Sequence, residues 1–223
     1  MELLNTDLTL LEQNPLFQGL SPADIRKSLY CLRAHSEAYP AKTFLFEEGD
    51  PALAMAVILQ GQVDLLRYDS QGNITILESF QAGESFGEAY AVLPAGHYGV
   101  NAESRTPVRV LWLQVGPLFE EISCPFSSRL LQNLVADIAQ KDLLLKGKVM
   151  VLSQKGLENK VFSFLEGYAP KEGGSFAIPF SREAMAAYLS CERSALSRLL
   201  SKMAKEGKIC YQGSRFSIKR KAL

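Results

Sequence analysis

The chain has 223 residues, of which 47% are hydrophobic and 22% are charged, and its 24 basic and 24 acidic side chains cancel. This composition is typical of one large or two small globular domains. The N-terminus lacks the basic segment of a signal peptide, and no apolar run approaches the roughly 18 residues of a membrane span. We therefore expect a cytoplasmic protein with no membrane partner.

Charge is divided along the chain. From Lys146 to the C-terminus there are 15 basic and 6 acidic residues, which leaves 9 basic and 18 acidic residues for positions 1–145. A basic end of this kind favours a phosphate-bearing partner such as nucleic acid, although a basic surface without a partner would give the same counts.

Four cysteines are scattered through the sequence without a CxxC spacing: Cys31, Cys124, Cys191 and Cys210. We predict that they pack as ordinary side chains, and we expect neither a disulfide framework nor a metal site.

The acidic half begins with a predicted helix and continues as strands. In SPADIRKSLYCL, Ser21 is a suitable N-cap and Pro22 takes the first helical position. Brief aliphatic and β-branched segments follow, separated by glycine-containing turns: AMAVILQG, QVDLLRYD, NITILESF and RVLWLQV. This pattern predicts an all-β roll or barrel.

From about Phe126 the apolar period becomes helical. Apolar residues recur along this segment with the spacing of a coiled-coil seam: Leu131, Val135, Ile138, Leu145, Val149 and Leu152. One acid, Asp142, falls within it. The seam could instead pack on the roll of its own chain, but Leu130 and Leu134 already form a second stripe for that purpose. We therefore predict that the long helix forms a homodimer.

The basic half has the pattern of a helix-turn-helix. In FSREAMAAYLSCERSALSRLLSKMAKEGKI, a helix capped by Ser181 ends near Ser190, and a second helix runs from about Glu192 to Glu206. The early turns of such a second helix enter the major groove of DNA, where arginine reads guanine. The predicted reading residues are Arg193, Ser194, Ser197 and Arg198. The alternative is a helical hairpin whose charges are merely solvated.

KICYQGSRFSIK then predicts a β-hairpin that turns at residues 212–214. We call this hairpin the wing. We expect its Arg215 to contact the DNA backbone.

The order of these elements, with PLFQGLSPADI, FLFEEGD, ILQGQVDLL, GESFGEA and YLSCERSALSRLLSKMAKEGKI, resembles the family of the cyclic-AMP receptor protein and the fumarate and nitrate reduction regulator, the CRP/FNR family. The resemblance implies an α+β fold. A cyclic-nucleotide-binding-like jelly roll would occupy residues 1–124, a dimerisation helix 125–152 and a winged helix-turn-helix 153–223. It also implies a bacterial transcription regulator whose dimer binds a palindromic operator in double-stranded DNA. An activating member would contact RNA polymerase as well.

Carried over by position, the resemblance assigns Ser181 and Arg182 to DNA phosphate, and Arg193 and Arg198 to base reading. Ser194 departs from it, because many relatives have a glutamate there that accepts a hydrogen bond from cytosine N4. We therefore expect an altered or looser half-site.

The predicted effector pocket departs further from the family pattern. The resemblance assigns Gly87 and Glu88 to the ribose and an Arg-Ser pair to the cyclic phosphate, but a gapless count places Tyr98 and Gly99 on that pair. Arg105 follows seven residues after Tyr98. Burying a phosphate without a cation is costly, so we expect no dependence on cyclic AMP.

Tyr90, His97 and Asp142 complete the predicted pocket. Asp142 aligns with a small hydroxyl residue that reaches the ligand from the dimer seam in cyclic-AMP-binding relatives. An acid there would repel an anionic ligand, and its pKa would rise if it were buried. Alternatively, Asp142 is solvated or sets the register of the helices.

The effector and any cofactor stay open at this stage. An iron-sulfur cluster is not expected, because the sensor half has only Cys31 and Cys124. A haem would need an axial ligand, for which His97 and then His35 are the only histidines, and a thiol switch would use Cys31 or Cys124. An uncharged organic effector packed around Tyr90 and Tyr98, or no effector at all, is the remaining alternative.

A function of another class is a binding module that regulates a partner protein and uses its basic end as a docking surface. The intact helix-turn-helix pattern argues against it. We find no catalytic triad, paired-acid motif, Walker loop or metal-spaced cluster, and therefore expect no enzyme.

Overall fold

A computed structural model of the chain describes residues 4–93, 96–119 and 124–219. The chain folds as two compact units, residues 1–140 and 141–223. The boundary between them falls within one long helix.

The first unit combines helices with a β-roll. Its first three helices are α1 (Asn5–Gln13), α2 (Pro22–Cys31) and the short α3 (Glu88–Ala91). Its strands are β1 (His35–Tyr39), β2 (Phe44–Phe46), β3 (Met55–Gln60), β4 (Gln62–Tyr68), β5 (Ile74–Gln81), β6 (Ser85–Phe86), β7 (Asn101–Ser104) and β8 (Val108–Leu113). As predicted, Ser21 caps α2, its Oγ accepting a hydrogen bond from Asp24 N at 3.2 Å.

The strands form two antiparallel sheets, with the orders β1-β8-β3-β6 and β2-β7-β4-β5. Aromatic residues such as Phe46, Phe86 and Trp112 belong to the core of the roll. A second core contains Leu11, Ile25 and other helical residues together with the opposite side chains of β3 and β8. The predicted β-roll is confirmed.

The long helix α4 (Ser127–Leu152) uses its apolar residues in two ways. Leu130 and Leu134 are fully buried in the helix-covered core, as predicted. Two seam residues, Leu131 and Ile138, also pack partly against that core. Three further seam positions are open, with Val135 62% exposed, Leu145 60% and Val149 54%, whereas Leu152 is partly buried.

The cysteine prediction is wrong for one pair. Cys31, at the end of α2, forms a disulfide with Cys124, just before α4, and the two Cα atoms are 5.9 Å apart. The pair is 93 residues apart in sequence. Only tertiary packing brings the two residues together, so local spacing gave no signal. Cys191 and Cys210 are free thiols.

The second unit is a small α+β domain. After the end of α4 it contains α5 (Gly156–Glu166), β9 (Ser175–Ala177), α6 (Arg182–Tyr188), α7 (Arg193–Lys205), β10 (Ile209–Gln212) and β11 (Arg215–Ile218). The three strands form one antiparallel sheet in the order β10-β11-β9. The α+β fold class with a C-terminal helix-turn-helix and wing is confirmed. In the described part of the chain, no helix has the length and apolar character needed to cross a bilayer.

Candidate functional site

The orientation of α7 is fixed by one apolar stripe. Leu196, Leu200 and Met203 are fully buried in the core of the second unit. Residues on the opposite side must then face outward, because a helix repeats every 3.6 residues. The four predicted reading residues are all exposed: Arg193, Ser194, Ser197 and Arg198.

The turn before α7 is built from backbone hydrogen bonds and one left-handed residue. Ser181 caps α6, since its Oγ accepts a hydrogen bond from Ala184 N at 3.0 Å. Ser190 has a φ of +52° at the break between the helices. Cys191 N then donates to Ala186 O at 3.0 Å, which closes the turn. The predicted cap and break are therefore confirmed.

The exposed face of α7 extends beyond the predicted residues. Ser201, Lys202 and Lys205 continue this surface, together with Glu206, whose Oε1 lies 3.7 Å from Lys202 Nζ. The serine and the two lysines were not predicted from the sequence, although Ser201 and Lys202 lie three or four positions after the predicted readers and Lys205 lies seven after Arg198. Among the described residues, no hydrogen bond or ion pair engages the guanidinium of Arg193 or Arg198, so both are available to a ligand.

The wing is the hairpin of β10 and β11. Its strands pair from Ile209 with Ile218 to Gln212 with Arg215. Arg215 is exposed at the start of β11, where it could reach a DNA backbone. Lys208, just before β10, is held by carboxylates instead: its Nζ lies 2.5 Å from Glu158 Oε1 and 2.6 Å from Glu206 Oε2. Both hydrogen bonds raise the pKa of Lys208.

Arg182 does not extend freely from the start of α6. Its Nη2 donates a hydrogen bond to the wing carbonyl of Gly213 at 2.8 Å. Its guanidinium also covers the rings of Tyr211 and Phe216. Burial lowers the pKa of this guanidinium. Arg182, the residue predicted to bind a DNA phosphate, therefore contacts the wing.

In the first unit, the structure brings four predicted pocket residues together around one ring. Tyr98 is 5% exposed and stacks on Phe46 with ring centroids 3.6 Å apart and planes 6° apart. Tyr90 packs edge-on against Tyr98 at 5.9 Å. A Cβ at Gly87 would lie 3.5 Å from the Tyr98 ring, and one at Gly99 would lie 3.2 Å from the Tyr90 hydroxyl.

The hydroxyl of Tyr98 also has a hydrogen-bond partner within the unit. It donates a hydrogen bond to Ala54 O at 2.5 Å. Burial raises the pKa of Tyr98 to about 12, so the phenol stays neutral at physiological pH. Glu88, which follows Gly87 in the sequence and begins α3, is also buried. The aromatic side chains therefore fill this part of the roll themselves.

The other predicted pocket residues, His97 and Asp142, are exposed. His97 is exposed and pairs with Pro51 in an isolated β-bridge. Asp142 belongs to the second unit, is half exposed and accepts a hydrogen bond from Lys146 Nζ at 2.6 Å. Arg105 is exposed just after β7. Asp142 is therefore exposed to solvent rather than buried.

Comparison with known proteins identifies both units. A model of the cyclic nucleotide-binding domain matches residues 36–122, and a model of the Crp-like helix-turn-helix domain matches residues 157–223. The CRP-like protein Clp of Xanthomonas campestris pv. campestris is 22% identical over 193 residues, which cover 82% of this chain and 84% of Clp.

Solved structures show the same fold. The c-di-GMP responsive global regulator CLP of Xanthomonas campestris has a TM-score of 0.54 at 20% identity, covering 90% of this chain and 100% of that one. DNR from Pseudomonas aeruginosa has a TM-score of 0.50 at 24% identity, covering 99% and 97%.

Proposed function

This chain belongs to the CRP/FNR family of transcription regulators, and from that membership we propose that it is a homodimeric, sequence-specific DNA-binding regulator that acts without cyclic AMP. Regulators of this family are generally DNA-binding proteins rather than enzymes, and we extend that property to this chain. Because DNA is the proposed partner, we place its action in the cytoplasm.

The exposed face of α7 carries the DNA-binding proposal. It presents Arg193 and Arg198 without an ion-pair partner among the described residues, on a helix held from behind by a buried apolar stripe. A guanidinium can donate two hydrogen bonds to O6 and N7 of guanine. Ser194 lies between the two arginines on the early turns, where a hydroxyl can contact any base edge or a phosphate.

The homodimer proposal rests on the open part of α4. Val135, Leu145 and Val149 are each more than half exposed and lie on one side of the helix. An apolar stripe of this kind is stabilised when a second copy covers it. Two copies related by a two-fold axis would present two α7 helices to a palindromic operator.

The sensor proposal rests on the position of Tyr98 and on the absence of basic residues from the segment around it. The segment from Glu88 to Ser104 contains no lysine or arginine. The ring of Tyr98 occupies the roll against Phe46, so an anionic nucleotide would have to displace a stacked ring and would meet no cation from this segment. CLP is described as responsive to c-di-GMP, which is also anionic. We propose an uncharged effector, or none, for this chain.

In vitro selection tests the DNA-binding proposal. The purified full-length protein would be incubated with a pool of random-sequence DNA duplexes, and bound duplexes would be amplified over several rounds. We expect enrichment of a palindrome whose half-sites are about one helical turn apart, roughly 34–36 Å. Affinity for the selected duplex should fall steeply with salt, because each phosphate contact releases counterions. A pool that stays random, or binding that is insensitive to salt, would overturn the proposal.

A further inference from the structure

We propose that Arg182 positions the wing of the DNA-binding unit rather than binding a DNA phosphate itself. This inference rests on the proposed DNA-binding function and names a residue on which the recognition surface depends. It differs from what the sequence predicts for Arg182, which is direct contact with phosphate at the entry to the first helix.

Three kinds of contact connect Arg182 to its surroundings. Its Nη2 donates to Gly213 O at 2.8 Å, at the tip of the wing. Its guanidinium carbon lies 4.9 Å from the ring centroid of Tyr211 and 4.8 Å from that of Phe216. On the side of its own helix, Nη1 lies 3.9 Å from Met185 Sδ. The side chain therefore links the start of α6 to both strands of the wing and to its turn.

The two aromatic residues form a single platform. Tyr211 on β10 and Phe216 on β11 are direct cross-strand partners. Their ring centroids are 5.7 Å apart and their planes differ by 24°. A guanidinium placed over two adjacent rings gains a cation–π interaction from each, which fixes the position of the platform relative to α6.

The geometry of the guanidinium suits this role. It is planar and can stack on rings while it donates in its own plane, as it does to Gly213. The Gly213 carbonyl belongs to a turn residue with a φ of +57°, so the hydrogen bond holds the point where the hairpin reverses. Lysine has the same charge, but it has no plane to stack and donates from a single point.

The consequence concerns Arg215. It is the first residue of β11, two positions beyond Gly213, and it is exposed. Its distance from a DNA backbone depends on where the wing lies relative to α6 and α7. Loss of the Arg182 contacts should therefore weaken the contact made by Arg215 even though Arg215 is unchanged.

Binding measurements on the selected duplex test this inference with R182K and R182Q. If Arg182 positions the wing, both variants lose affinity by a similar factor, roughly tenfold for about 1.4 kcal/mol. R182K should have much less effect in an R215Q background, because the two residues act through the same contact. If Arg182 binds phosphate, R182K stays close to the wild type, since lysine also binds phosphate. That result would overturn the inference, as would additive effects of R182K and R215Q.

A second pair of variants leaves Arg182 intact. Y211L removes one ring of the platform and should reduce affinity as R182K does. Y211F keeps the ring and removes the hydroxyl with its 3.4 Å hydrogen bond to Ser201 Oγ, so it is the matched control and should lose less affinity than Y211L. Wild-type affinity in Y211L would contradict the positioning role.

Hydrogen exchange separates this inference from the proposed function, because it needs no DNA. Amide exchange in the wing, residues 209–218, should be faster in R182K than in the wild type, whereas exchange in α5 should be unchanged. Unchanged wing exchange would overturn the inference whether or not the protein selects a duplex. Failure of the wild type to select any duplex would overturn the proposed function alone.

Discussion

Arg198 is the residue on which the proposed base reading by α7 would most directly depend. It is exposed on the second turn of the helix, between Ser197 and the buried Leu200 stripe, and no described side chain neutralises it. A bidentate contact with guanine discriminates by about 1–3 kcal/mol, or roughly 5- to 150-fold in affinity. We therefore expect R198A to lose that preference for the selected duplex over a scrambled one, as measured by fluorescence anisotropy, while the protein keeps its oligomeric state.

The matched control is R26A, which removes an exposed arginine from α2 in the other unit. It should bind the selected duplex like the wild type. Equal discrimination by R198A and the wild type would remove Arg198 from the reading surface.

At this scale the sequence predicts positions that depend on local order and misses those that depend on distant contacts. The reading residues follow from the helical period, and the Ser181 cap follows from residue type. By contrast, Tyr98 stacks on Phe46, which lies 52 positions away in the numbering. Arg182 likewise turns to a wing whose Gly213 is 31 residues further on. No periodicity encodes contacts of this range.

Among the elements, α4 combines intrachain packing with an open apolar face. A heptad pattern identifies a seam, but it does not say which part of that seam packs on the helix's own unit. Leu131 and Ile138 lean on the core of the roll unit, because they lie next to the Leu130 and Leu134 stripe on the helix surface. The sequence therefore predicts the helix and its apolar residues well. It predicts less well which of those residues pack on the roll unit and which remain exposed.

L145E tests whether the open face of α4 is a dimer interface. Leu145 belongs to the predicted seam, and burying two glutamates across a two-fold axis should disfavour the dimer. L144E is the matched control, since Leu144 is 65% exposed but lies about 100° further around the helix. We expect sedimentation equilibrium to show a dimer dissociation constant at least tenfold higher for L145E than for the wild type, and a wild-type dimer for L144E. Equal behaviour of the two variants would place the interface elsewhere.

The Cys31–Cys124 disulfide ties the end of α2 to the segment that enters α4. It closes a loop of 93 residues. In the chain-entropy treatment, closing such a loop lowers the entropy of the unfolded state and raises the free energy of unfolding by about 4–5 kcal/mol. We expect dithiothreitol to lower the urea midpoint of the roll unit in the wild type, and C31S to lower it without further response to the reductant. C210S removes an exposed free thiol and should respond like the wild type. A reductant-insensitive wild type would mean that the bond contributes nothing to stability.

For the whole molecule, charge and architecture divide in the same place. Residues 141–223 contain 16 basic and 7 acidic side chains, whereas residues 1–140 contain 8 and 17. Phosphate affinity is therefore concentrated in the unit that contains the helix-turn-helix, and the acidic unit is unsuited to nonspecific contact with DNA. This division was visible from sequence counts alone, because it depends on composition and not on packing.

Thermal melting tests the effector proposal. Cyclic AMP at 1 mM should leave the melting temperature of the full-length protein unchanged, because the Tyr98 ring is buried against Phe46 and no lysine or arginine lies between Glu88 and Ser104. A ligand with a Kd of about 10 µM would instead stabilise the folded state by about 2.7 kcal/mol and raise the melting temperature by roughly 5–11 °C. Adenosine is the matched control, since it has the base and ribose without the phosphate. A rise with both ligands would indicate recognition of the nucleoside, whereas a rise with cyclic AMP alone would mean that a cation outside this segment reaches the phosphate and that Tyr98 moves aside.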